Sequence, residues 1–106
     1  MDDKQPIIAA NSQTEKYFFN PDFDKIPTEV QKELRIMAVK AANALSCVFI
    51  IGFYPHGRVY FETLELPDQA DDDAYIEALI TQQGELIRSL ELWHKVFIQK
   101  DLDDLI

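Results

Sequence analysis

The sequence of 106 residues contains a single cysteine, Cys47, so it can form neither an intramolecular disulfide nor a four-cysteine metal site. Its three glycines, Gly52, Gly57 and Gly84, are isolated from one another, which excludes a glycine-rich phosphate loop. The longest strictly apolar run, Val48–Ile51, is far shorter than the roughly 20 residues that span a bilayer. The first residues lack the basic-then-apolar order of a secretion signal. We therefore expect a soluble, cytoplasmic protein.

Basic side chains are also scarce. Ten lysines and arginines stand against nineteen aspartates and glutamates, which gives a net charge of −9. The imbalance is concentrated in residues 65–106, where eleven acidic and three basic side chains give −8. Because such a field repels phosphate groups, we expect no binding to nucleic acid or to anionic membranes. Two interpretations of the charge stay open: it keeps a small domain soluble, or it forms an acidic face for a basic partner.

The chain does have enough apolar sequence for a core. Hydrophobic residues make up 47% of it, and no repeat or low-complexity stretch interrupts it. We predict a single domain over residues 1–106 with an α+β fold. Its expected elements are an N-terminal arm at 1–26, a helix at 27–46, a β-hairpin at 47–66 and a helix at 70–100. The predicted architecture is α-β-β-α, with a central antiparallel hairpin, a long C-terminal helix and a docked aromatic arm.

The arm is expected to dock because it contains a dense aromatic cluster: Tyr17, Phe18, Phe19 and Phe23. Each of these rings can bury roughly 150–250 Å², which is too much apolar surface to leave in water. Residues 1–13 are mostly polar or small and are expected to fray at their start. Asn20-Pro21 suits the cap of a short helical turn, and Thr28 with Gln31 has capping-box spacing at the start of the first long helix.

The hairpin and the last helix follow from residue type and spacing. β-Branched and aromatic residues predict strands at Val48–Tyr54 and Arg58–Leu66, joined by a loop that ends at Gly57. Apolar residues at helical spacing predict the long helix: Ile76, Leu79, Leu86, Leu90, Trp93 and Phe97. Gln83 and Gly84 interrupt this stripe and indicate a bend or a polar contact. The helix is expected to end near Gln99–Lys100, because aspartates follow there.

Two features of this architecture predict a homodimer. Val48–Tyr54 is apolar on both faces, and one hairpin cannot cover two helices, so a third strand from Tyr17–Phe19 or a second copy is needed. Leu92 and Val96 lie outside the apolar stripe of the last helix and need cover of their own. A two-fold copy would supply it, and the alternative is that the aromatic arm folds back over them.

The sequence also resembles a family of short, uncharacterised clostridial proteins that is classified as a domain of unknown function. The shared stretches are Ala10-Asn11, Lys16–Phe23, Ile26-Pro27, Glu33–Met37 and Leu90–Phe97. The middle of the chain, from Ala41 to Gln82, departs from the family's pattern. The resemblance implies a bacterial, cytoplasmic, single-domain protein and carries over no catalytic residue.

The residues that could carry chemistry are few. His56 lies in the hairpin loop and His94 beside the apolar stripe, and both are interpreted as structural. Cys47 precedes an apolar strand and has no obvious activating base. Asp68 with Asp71–Asp73 lacks the residue order of a calcium loop and is better explained as helix capping. We therefore predict no catalytic residue, no metal and no cofactor.

The remaining candidates form an interaction surface: Tyr54, Arg58, Tyr60, Leu92 and Val96. The hairpin aromatics resemble a stacking or peptide-docking surface, although cross-strand pairing and core filling explain the same residues better. The leading hypothesis is a non-catalytic homodimeric module that recruits another protein. The alternative is a small-molecule binding domain with an apolar pocket between the arm, the first helix and the sheet. Whether the protein is an enzyme stays open.

Overall fold

The computed structural model describes residues 4–98 and shows an α+β fold, which confirms the predicted class. In chain order its strands are β1 (Gln5–Asn11), β2 (Lys16–Phe19), β3 (Val48–Phe53) and β4 (Val59–Leu64). Its α-helices are α1 (Thr28–Leu45), α2 (Asp72–Gln82) and α3 (Gly84–Phe97), and a 3₁₀ turn spans Pro21–Phe23. The predicted helix end near Gln99–Lys100 lies outside the described residues.

The four strands form one antiparallel sheet in the order β2-β1-β3-β4. The N-terminal segment was predicted as an arm without a strand before Tyr17. This was wrong for Gln5–Asn11, because β1 is an interior strand between β2 and β3. Ile7 and Ile8, the two large apolar residues at its start, are fully buried, aided by a break in register between Pro6 and Ile8. The segment expected as a third strand, Tyr17–Phe19, belongs to the edge strand β2.

Local signals around the first helix were partly correct. The Asn20 side chain accepts a hydrogen bond from the Asp22 N–H at 3.0 Å and caps the 3₁₀ turn, as predicted. The capping box was wrong: α1 starts after Pro27, with no side-chain cap. The Gln31 amide instead donates to the carbonyl oxygen of Ile26 at 2.7 Å, outside the helix. That bond fixes the chain where it enters α1.

The single long C-terminal helix is in fact two helices. Gln83, with φ −111° and ψ 26°, leaves helical geometry between α2 and α3. Asp71 caps α2 by accepting from the Ala74 N–H at 3.0 Å. Tyr75 of α2 contacts Phe49 at one end of β3, and Trp93 of α3 contacts Phe53 at the other end. The interrupted stripe therefore marked a real break.

The core lies on one face of the sheet. Phe49, Ile51 and Phe53 alternate along β3, and all three are buried in one cluster with the apolar sides of the helices. Phe53 stacks on Trp93 with ring centroids 6.3 Å apart and contacts Phe23 at 5.6 Å. These rings join the arm, the hairpin and α3.

We predict that the aromatic residues of the arm differ sharply in their contribution to stability. Phe23 is 1% exposed and Phe18 is 54% exposed. Phe23→Ala should lower the free energy of unfolding by about 3–5 kcal/mol, whereas Phe18→Ala should change it by less than about 1 kcal/mol. Urea denaturation at low protein concentration measures both values. Equal losses would contradict the docking of Phe23 in the core.

We also predict opposite effects of alanine at two glycines. A Cβ at Gly52 would collide with the carbonyl oxygen of Gln5 and come within 2.6 Å of the Tyr60 ring, whereas one at Gly84 meets only Arg88, at 3.9 Å. Gly52→Ala should therefore destabilise the sheet by about 2 kcal/mol or more. Gly84→Ala should stabilise α3 by about 0.5–1 kcal/mol. Thermal melts compare them directly, and a neutral Gly52→Ala would contradict the close approach of β1 to β3.

Candidate functional site

One face of the sheet lies opposite the core, and its centre is apolar. Strand pairing aligns Phe18, Ala9, Ile50 and Glu62 in one row across the four strands and Lys16, Asn11, Val48 and Leu64 in the next. Ala9, Val48 and Ile50 are only half-buried, and Phe18 and Leu64 are exposed. We call these two rows the open sheet face. Its two charged side chains, Lys16 and Glu62, lie on opposite edge strands.

Beyond these rows, aromatic rings close the hairpin end of the same face. Tyr60 lies over Gly52, the Tyr54 ring contacts it at 5.3 Å, and the Lys4 ammonium approaches its centroid to 5.3 Å. Burial raises the pKa of the Tyr60 phenol, and the Glu62 carboxylate and Tyr54 add to the effect. Tyr60 is only 6% exposed, so in this structure it fills space more than it offers surface.

A second candidate surface follows α3 and has an apolar half. A groove of about 380 Å³ separates the last two turns of α3 from the start of α1. Its apolar lining includes Ile26, Pro27, Val30, Leu92, Val96 and Phe97. Leu92 is 48% exposed and Phe97 is 58% exposed, so the aromatic arm does not cover this groove within the part of the chain that the structure describes. The alternative in which the arm folds over Leu92 and Val96 is therefore wrong for β2, which lies at the far edge of the sheet.

The other half of this surface is basic. A neighbouring concavity of about 510 Å³ shares Leu92 with the apolar groove and is lined by Arg88 and Lys95 of α3 and by His56 and Arg58 of the hairpin loop. The Glu91 carboxylate in this lining accepts a hydrogen bond from the Val59 N–H at 3.0 Å and pairs with Arg58 at 3.7 Å. We call the groove and this basic concavity together the α3 surface.

The structure divides the predicted interaction residues between these two places. Tyr54 and Tyr60 lie at the hairpin end of the sheet, and Arg58, Leu92 and Val96 lie on the α3 surface. Two groups of surface residues were not predicted from the sequence: Phe18, Ile50 and Leu64 on the open sheet face, and Arg88 and Lys95 beside Leu92. The spacing of Arg88, Leu92 and Lys95 by four and three positions could have revealed the second group, because such residues share a helix face.

The candidates for chemistry do not converge. The Asp72 carboxylate accepts a hydrogen bond from the Thr63 hydroxyl at 2.6 Å, and Asp71 caps α2, in agreement with the capping interpretation. His94 is buried and its ring contacts Phe53 at 4.7 Å, while His56 contacts Tyr54 at 5.2 Å in the hairpin loop. Between residues 4 and 98, no group of three His, Cys, Asp or Glu side chains is arranged to hold a metal ion.

The space between the arm, α1 and the sheet contains two small cavities. One, of about 270 Å³, is lined by Tyr17 and Phe19 of β2 and by Gln31 and Arg35 of α1. The other lies beside Asn11. It has a volume of about 210 Å³ and a mixed lining that includes Asn11, Ser12, Lys16 and Asn43 besides Ala10 and Val39. Ligand pockets usually measure about 300–1,000 Å³ and are mostly apolar. The core side chains Ile8 and Leu34 occupy the apolar space that the alternative hypothesis requires.

We predict that the Cys47 thiol is unreactive in the folded protein. Burial raises its pKa above the ordinary value of 9.0, and the Asp72 carboxylate adds to the effect. Alkylation at neutral pH should therefore be much slower in buffer than in denaturant. Because the folded state holds this proton more tightly, stability should fall as the pH rises above 9.0, and Cys47→Ala should lessen that fall. Equal alkylation rates in buffer and in denaturant would contradict burial of the thiol.

None of the helices within the described range combines the length and apolarity needed to cross a membrane. Comparison with known proteins gives one match: residues 4–102 fit the model of a family of unknown function, DUF6145. Neither the curated proteins nor the solved structures contain a significant match.

Proposed function

The chain belongs to DUF6145, a family of unknown function, and we propose from the geometry of the structure that it is a non-catalytic protein-interaction module that acts as a homodimer. The open sheet face carries this proposal. It presents an apolar centre built from Ala9, Val48 and Ile50, flanked by the exposed Phe18 and Leu64. Contiguous apolar surface of this kind is typical of protein interfaces.

Charge favours a second copy as the occupant of the open sheet face. A two-fold axis parallel to the strands lays β2 of one copy over β4 of the other. Rows stay in register about this axis, so Lys16 of each copy lies over Leu64 of its partner, one row away from the partner's Glu62. The long lysine side chain spans the roughly 7 Å between neighbouring rows, so two complementary pairs form at the rim. Such exposed pairs add at most about 1 kcal/mol each, but they fix the relative orientation of the two sheets.

The size of the face predicts a weak dimer. Four strands about 4.8 Å apart and four to seven residues long present a footprint of at most roughly 20 by 20 Å. Interfaces of this size lie at the low end of specific association, so dissociation in the micromolar range is expected. The α3 surface suits self-association less well, because an antiparallel α3 pair centred on Leu92 would bring Arg88 of one copy beside Lys95 of the other.

The proposal includes a recruiting role for the α3 surface, which dimerisation through the sheet leaves exposed on each copy. The proposal also assigns the protein to the bacterial cytoplasm. A buried free thiol suits a reducing compartment, and the family that the sequence resembles is bacterial. The runner-up, small-molecule binding, is supported by the cavity near Asn11. A metabolite that raises the melting temperature, and loses this effect in an Asn11→Leu variant, would favour the runner-up.

We predict that neutral substitutions on the open sheet face weaken the dimer. Phe18→Ser with Leu64→Ser should raise the dissociation constant by roughly tenfold or more, since the interface would lose its two large exposed apolar side chains. The matched control is Ile36→Ser with Ile80→Ser, which removes equally exposed apolar side chains from α1 and α2. Sedimentation equilibrium measures the constants. A wild-type mass of 12.3 kDa at high concentration would refute the dimer.

Charge exchange tests the orientation. Lys16→Glu or Glu62→Lys alone should weaken the dimer, and the double variant should restore it, because the pair is re-formed with its signs reversed. A dimer that ignores these changes but dissociates with Leu92→Glu and Val96→Glu would instead place the interface on α3. All of these side chains are at least partly exposed, so each variant should keep the wild-type far-UV circular dichroism spectrum.

A further inference from the structure

We propose that the α3 surface binds an acidic amphipathic segment of a partner protein. The inference deepens the recruiting role proposed above and rests on it. Its basis is that an apolar groove and a basic concavity adjoin at Leu92, which lines both. A ligand that fills both must therefore have apolar side chains on one side and anionic side chains beside them.

The ligand is inferred to be anionic because the α3 surface is basic, whereas the rest of the chain is acidic. Residues 65–106 contain three basic side chains, and two of them, Arg88 and Lys95, line this surface. With Arg58 they bring three cationic side chains to a lining whose carboxylate, among residues 4–98, is Glu91, on a chain of net charge −9. The Glu91 carboxylate is already engaged by the Val59 N–H and by Arg58. The site therefore attracts anionic groups that the remaining surface repels.

The dimensions suit a short helix. The apolar lining follows α3 from Ser89 to Phe97, which is roughly 12 Å at the rise of an α-helix. Two to three turns of a partner helix cover that length, with apolar residues at i, i+3, i+4 and i+7 facing the groove. On such a helix, glutamates beside the apolar stripe would face Arg88 and Lys95. The occupant that fits is therefore a helix with an apolar stripe bordered by acidic residues.

Trp93 makes occupancy measurable. It is the chain's one tryptophan, it lines the groove, and it stacks on the exposed Phe97 with centroids 5.5 Å apart. A ligand that covers Phe97 changes the surroundings of this stack. The intrinsic fluorescence of the full-length protein should therefore report binding of a peptide that contains no tryptophan.

The test uses two synthetic peptides of about 14 residues with leucines at helical spacing. One carries glutamate at the other positions and the second carries lysine. We expect the glutamate peptide to shift Trp93 emission in a saturable way and to bind at least roughly tenfold more tightly than the lysine peptide. Isothermal calorimetry should give the same ranking. Equal affinities, or no response to the glutamate peptide at about 1 mM, would overturn the proposal.

Variants locate the site. Arg88→Glu with Lys95→Glu should reverse the preference between the two peptides, whereas Lys32→Glu with Lys40→Glu, which makes the same charge change on α1, should preserve it. Retention of the glutamate-peptide preference in the α3 variant would refute this site. The dimer-weakening variant Phe18→Ser with Leu64→Ser should still bind the glutamate peptide, so the two proposals fail separately. Lost peptide binding with an intact dimer refutes only the present inference.

Discussion

The contact of Phe53 with Phe23 and Trp93 holds the three parts of the chain together. Phe53 lies at the end of β3, Phe23 belongs to the arm and Trp93 to α3, so a single aromatic cluster joins segments that are far apart in sequence. Both candidate surfaces depend on it. The cluster keeps α3 on the core side of the sheet, which leaves the opposite face uncovered, and it sets the distance between α3 and the start of α1, which creates the groove.

Elements governed by neighbouring residues could be predicted from the sequence. The hairpin required only the strand propensities around Val48 and Val59 and a glycine able to adopt the φ of 94° seen at Gly57. The break between α2 and α3 was visible in Gln83 and Gly84. Caps at Asn20 and Asp71 follow from one short side chain beside free N–H groups. Each of these features depends on a few adjacent residues, so periodicity and turn chemistry were sufficient.

Features that depend on distant partners could not be predicted in the same way. β1 contains Pro6 and two alanines, which are weak strand formers, and it becomes a strand because β2 and β3 supply hydrogen bonds on both sides. The capping box at Thr28 did not form because the Gln31 side chain, which would have to accept from a backbone N–H at the start of the helix, instead donates to the carbonyl oxygens of Asp24 and Ile26. The candidate surfaces were identified residue by residue, but which residues share a face depended on the strand order. Leu92 was recognised as uncovered, whereas Phe18 was assigned to the core.

The hydrogen bond from the Val59 N–H to Glu91 protects one border of the sheet. Val59 begins the edge strand β4, and an unpaired N–H there would be a template for the strand of another molecule. A carboxylate held by α3 occupies this donor and places negative charge at the border, so growth by strand addition at the start of β4 is blocked. The same side chain thus links the helix that carries the apolar groove to resistance against ordered aggregation.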